Sequence, residues 1–90
     1  MATVYELRFS AKSRKHIAAL DRPTKERILS RLEELRSNPF DPRLSAALVA
    51  RPGLRRSKVG PWRIVFEVNE SERMLNVLVV QPRGQVYKRL

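Results

Sequence analysis

A chain of 90 residues without cysteine has room for one small hydrophobic core and no disulfide or thiolate framework to reinforce it. Nineteen basic against nine acidic residues give a formal charge of +10, which points to a polyanionic partner, nucleic acid first and an acidic protein second. At 42% hydrophobic and 31% charged the composition is that of a folded domain, expected to span 1–90. No apolar run reaches the length of a signal core or a membrane span, so the cytoplasm is the expected compartment and no membrane partner is implied.

Thr3 to Phe9 alternates, with Thr3, Tyr5, Leu7 and Phe9 on one face and Val4, Glu6 and Arg8 on the other, and predicts a first strand. Ser10 is a good N-cap for a helix over 11–20, whose few apolar positions leave it half exposed. Pro23 suits the first turn of a second helix over 23–37, in which Ile28, Leu29, Leu32 and Leu35 recur on one face. The two helices form a hairpin, and Pro39 ends the second. Asn38 to Arg43 reads as an irregular connector with Phe40 packed beneath it, and Leu44 to Arg51 as either a short helix or a loop.

Three strands follow. Over 54–59, Leu54, Arg56 and Lys58 share one face and Arg55, Ser57 and Val59 the other. Gly60 and Pro61 turn the chain into the strand over 62–68, where Trp62, Ile64, Phe66 and Val68 make an apolar face and Arg63 points the opposite way with Val65 and Glu67. A polar turn over 69–73 leads to the last strand, 74–81, followed by Arg83 and Tyr87. The expected architecture is α+β, in the order β-α-α-β-β-β, a twisted antiparallel sheet with the helical hairpin on one face.

This order, together with RPGLRRSKVGPWRIVFEV and VVQPRGQVYKRL, resembles the RelE/ParE superfamily of bacterial toxins over nearly the whole chain. The basic strand before a Val-Gly turn, the aromatic-Arg-Ile-Val-aromatic strand and the terminal Arg-x-x-Val-Tyr carry the likeness. In the RelE branch, the resemblance implies an mRNA interferase that cuts translated message in the A site of the 70S ribosome and is neutralised by a cognate, acidic antitoxin. The free toxin is then expected to be a monomer and the complex a hetero-oligomer. The resemblance matches Arg56 and Lys58 to the basic strand pair, Arg63 to the central arginine, Arg83 to the arginine after the last strand and Tyr87 to the C-terminal tyrosine. Gln81 and Pro82 stand before Arg83, where many relatives have a Gly-His-Arg or similar basic run. The ParE branch, which shares the fold and poisons DNA gyrase without nuclease chemistry, therefore stays open, as does an inactive nucleic-acid-binding relative.

Internal transesterification of RNA needs a base for the 2′-OH, cations for the phosphorane and an acid for the departing 5′-oxygen. Arginine stays protonated and cannot be the base, whereas Lys58, crowded by Arg56, Arg63 and Arg83, is the candidate because like charges favour its neutral form. Arg63 is the candidate phosphate clamp, since guanidinium meets phosphate as a bidentate fork. Arg83 or Tyr87 serves as the acid, or Tyr87 stacks on a base or orients the 2′-OH. Arg55, Arg56, Lys88 and Arg89 complete the expected RNA contacts. Arg56 and Lys58 read equally as ordinary exposed strand cations, Tyr87 as a core residue, Trp62 and Phe66 as core, and His16 as a solvated side chain. No Cys/His spacing supports zinc, and Glu67, Glu70 and Glu72 are too scattered for a two-metal site, so no cofactor is expected.

Overall fold

In the computed structural model, which describes residues 4–82, the elements run β1 (Glu6–Phe9), α1 (Ala11–Ala18), α2 (Arg22–Ser37), β2 (Ala46–Ala47), β3 (Leu54–Val59), β4 (Trp62–Asn69) and β5 (Met74–Pro82). Both helices start where side-chain chemistry starts them. Ser10 caps α1 by accepting from the Ser13 amide, and Asp21 caps α2 by accepting from the Thr24 amide, with Pro23 in the first turn of α2. No helix is long and apolar enough to cross a membrane.

The strands form one sheet in the order β1-β5-β4-β3-β2. β3, β4 and β5 pair antiparallel as expected, and β2 pairs antiparallel with β3, but β1 lies parallel to β5, so the sheet is mixed rather than antiparallel throughout. The helical hairpin and connector carry the chain from β1 to the far edge of the sheet. Three reversals, from β2 to β3, β3 to β4 and β4 to β5, then bring β5 back beside β1 in the same direction. Sequence periodicity fixes which face a strand buries and is silent on its direction, because alternation reads the same both ways.

α2 presents Ile28, Leu32 and Leu35, at i, i+4 and i+7, to a core that includes Ile64, Phe66, Leu75, Val77 and Val80. Leu29 falls off that stripe and is exposed. A bulge falls opposite the Val65–Phe66 step: Val65 pairs with Val79 and Phe66 with Val77, leaving Leu78 as the extra residue. Val77 and Val80 therefore face the helices, while Leu78 and Val79 join Val65, Leu48 and Leu54 in a second, smaller apolar cluster. Leu44 to Arg51 is neither a helix nor only a loop, since Ala46 and Ala47 pair with Arg56 and Arg55 as a two-residue edge strand.

Polar side chains seal the places where strands end. β1 accompanies β5 only as far as Val77, and α1 covers the edge beyond it. Ser10 Oγ donates to the Leu78 carbonyl at 2.8 Å, the buried Ser13 Oγ lies 3.0 Å from the Val77 carbonyl, and the Val80 amide donates to His16 Nδ1 at 3.2 Å. His16, expected in solvent, thus accepts a backbone hydrogen bond. Burial, and then the neighbouring Lys12 charge, hold its pKa below the ordinary imidazole value. Nδ1 accepts from Val80, so the neutral ring carries its proton on Nε2, which donates to the Gln81 side-chain amide when that amide turns its oxygen toward the ring.

Candidate functional site

β3 and β4 are joined by the two-residue turn Gly60-Pro61. Gly60 has φ +58, and proline in the next position admits only negative φ, which is the type II′ combination that suits the right-handed twist of a hairpin. This turn sets the register: Val59 opposite Trp62, Lys58 opposite Arg63 and Arg56 opposite Val65. Residues directly opposite share a face, so Arg56, Lys58 and Arg63 stand together on the side of the sheet away from the helices. Gln81 lies across from Arg63 on β5.

The three cations differ in setting. Lys58 is exposed and Arg56 half-buried, while Arg63 is only 6% exposed. Arg63 Nη1 donates to the Trp62 carbonyl at 3.3 Å, and its buried Nε has no hydrogen-bond partner. Among the described residues no carboxylate pairs with any of the three. The ion pairs join Arg22 to Glu26, Arg31 to Glu34, Arg36 to Glu33 and Arg43 to Asp41. Glu67 shares the face of Arg63, but it lies four residues along β4, about 13 Å away at strand spacing, and accepts from Asn76 instead. The carboxylates of these pairs lie on α2 and the connector, and none of them reaches the β3–β4 cations.

Arg55 does not belong to this group. Expected as an RNA contact, it projects to the helix side, where Nε donates to Ser45 Oγ at 3.0 Å and the guanidinium lies 5.1 Å from the Phe40 ring centroid. It clamps the connector onto β3. Phe40 is correspondingly not tucked beneath the connector but 41% exposed under this cation. Arg83, Tyr87, Lys88 and Arg89 lie outside the described residues, so their expected places beside Arg63 have no structural counterpart here.

Two features escaped the sequence. Ser57 is fully buried, donating to the Leu44 carbonyl at 2.6 Å and accepting from Arg31 Nη1 at 2.9 Å. Arg31 also donates to the Lys58 carbonyl at 2.6 Å, which fixes the strand segment bearing Lys58. The signal for Ser57 was its inward parity between Arg55 and Val59, where a small polar residue needs a partner. Nothing in the spacing of α2 marked Arg31. No group of His, Asp or Glu side chains among the described residues could hold a metal ion.

The helical hairpin on one face of this strand order matches the fold of RelE-type toxins. The chain belongs to the ParE toxin family of type II toxin–antitoxin systems, whose sequence model matches residues 7–87. Among solved structures, the isolated E. coli RelE toxin is similar at 22% identity and a TM-score of 0.77, over 94% of this chain and 93% of that one. A chain of the archaeal RelE–RelB complex from Pyrococcus horikoshii is 22% identical with a TM-score of 0.74, over 91% of this chain and 98% of that one. The YoeB/ParE toxin from Agrobacterium tumefaciens is 19% identical with a TM-score of 0.76, over 87% and 98%. At these identities the likeness is one of fold. No curated protein sequence matches the chain.

Proposed function

We propose that this toxin is a ribosome-dependent endoribonuclease of the RelE type, acting on translated mRNA in the A site and held inactive by a cognate antitoxin. One observation carries the proposal: Lys58 and Arg63 are directly opposed across β3 and β4, with Arg56 beside them, and no carboxylate among the described residues neutralises them. Like charges facing each other across a sheet destabilise it, and a buried guanidinium with an unsatisfied Nε costs further free energy. A phosphate bound between them would offset the repulsion of the opposed cations.

In this proposal the phosphate of the scissile bond sits on the Arg63 fork, which the neighbouring Trp62 and Ile64 hold in a packed strand. The amine form of Lys58 takes the proton of the 2′-OH as the O2′–P bond forms. The P–O5′ bond then breaks, and the 5′-oxygen accepts a hydrogen bond from Arg83 or a proton from Tyr87. Arg56 shares the charge that builds on the phosphorane. Such a site has no strong general base, and positioning of the message by the ribosome supplies the alignment that the side chains alone do not. The partner proposed for the cationic face is an acidic antitoxin segment, in keeping with the RelE–RelB complexes among the structural neighbours. The free toxin is proposed to be monomeric.

The match to the ParE family favours a second reading, in which the protein binds and inhibits DNA gyrase and cleaves nothing. Translation of a defined message in a purified system, with 5′ ends mapped by primer extension, separates the two. New ends on translated message alone support the nuclease. Intact message together with a blocked gyrase supercoiling reaction supports the inhibitor.

A further inference from the structure

A cavity of about 290 Å³ opens at the edge of β3, between α2 and residues 42–46. Four of its lining residues are cations, Arg31, Arg43, Arg56 and Lys58, and none is acidic. Arg31 is fixed in place without any ligand. Its Nη1 donates to Ser57 Oγ and to the Lys58 carbonyl, and its Nε donates to Glu34 at 3.3 Å, which leaves Nη2 without a partner among the described residues. Arg43 approaches from the opposite wall with its side chain 85% exposed, paired to Asp41 at 2.9 Å. Arg56 and Lys58 are common to this cavity and to the face that carries Arg63. The cations therefore continue around the sheet edge as one row.

We infer that this cavity is a second phosphate subsite, which seats a backbone phosphate of the RNA strand next to the scissile one; for its substrate the inference rests on the nuclease proposed above. The volume corresponds to about ten water molecules, room for a phosphate and part of its ribose. Three guanidinium groups and an ammonium around one cavity match an anion with several acceptor oxygens better than a single side-chain carboxylate. Holding the strand at two phosphates fixes its direction across the sheet, which a single clamp at Arg63 cannot do.

The test is binding of a 2′-O-methyl RNA oligonucleotide, which has no 2′-OH to react, followed by fluorescence anisotropy across a range of salt. Arg43→Gln should weaken binding on the order of tenfold at low salt, as loss of one charge-assisted hydrogen bond does, and should reduce the slope of log K against log salt by about 0.7. Arg22→Gln removes the same charge about 13 Å along α2 from Arg31 and should leave the slope unchanged. Asp41→Asn keeps an oxygen for the Arg43 amide and Nε but removes the charge and the acceptor that hold Nη2, so it should tighten binding. Equal slopes for Arg43→Gln and Arg22→Gln would overturn the subsite. So would a loss of affinity for an acidic peptide with none for RNA. The nuclease proposal fails separately: a parent protein that leaves translated message intact while the slopes still differ binds RNA phosphate here without cutting it.

Discussion

Lys58 and Arg63 face each other across the β3–β4 hairpin as a like-charge pair. The Lys58 carbonyl accepts from Arg31 at the outer edge of β3, so Lys58 forms a non-hydrogen-bonded pair with Arg63, the kind in which side chains come closest. Sheets avoid this arrangement when stability is the only demand.

Relief of that repulsion should show as a trade between stability and activity. Lys58→Gln keeps the length and polarity of an exposed strand residue and removes one charge. It should raise stability by about 0.5 kcal/mol, read as a higher denaturation midpoint at unchanged slope. Cleavage of translated message should fall in the same variant. A lower midpoint would show that the opposed cations are not in tension.

Arg55 makes the complementary case, a cation whose work is structural. Arg55→Ala loses the hydrogen bond to Ser45 and the contact with Phe40 and should cost on the order of 1 kcal/mol. The salt slope for RNA binding should not change, since this guanidinium lies on the helix side. A slope reduced by as much as for Arg43→Gln would restore Arg55 to the RNA surface.

How much of this was legible in the sequence follows from what alternation can encode. The inward faces of β3 and β4, the cap at Ser10, and the grouping of Arg56, Lys58 and Arg63 were readable because side-chain parity and cap chemistry are local. The parallel β1–β5 pairing, the bulge at Leu78 and the second apolar cluster depend on how distant segments meet. The partner of Arg55 was not legible because a cation beside another looks the same whether it meets solvent or, as here, a serine ten residues away. Ser45 and Ser57 escaped for the same reason, since a buried serine is recognised by the carbonyl it reaches.

Ser57→Ala should be costly for so small a change. It leaves the Leu44 carbonyl without its donor and removes one of the acceptors that hold Arg31, a loss of about 1–3 kcal/mol. Chemical denaturation checks this, and a loss under half a kilocalorie per mole, at the low end of net hydrogen-bond contributions, would mean water replaces the hydroxyl.

His16 gives the fold a dependence on pH. Its folded-state pKa is lowered, so the unfolded chain binds more protons as the pH falls through the ordinary imidazole range near about 6.5. Stability from this group is therefore complete above that range and is lost as the pH drops through it. Denaturation midpoints at about pH 7.5 and about pH 5 should differ more for the parent than for His16→Gln. Identical differences would show that His16 does not contribute to the pH dependence of stability.

The most direct measurement of the central claim is cleavage of translated message by Arg63→Lys, beside the parent protein and a melting curve of each. Lysine keeps the charge and loses the planar fork, so ribosome binding should persist while the cleavage rate falls on the order of a hundredfold, as when one preorganised transition-state donor is removed. Arg73→Lys, in the polar turn between β4 and β5, should cut at the parental rate. A folded Arg63→Lys protein that cuts translated message as fast as the parent would contradict the phosphate clamp assigned to Arg63.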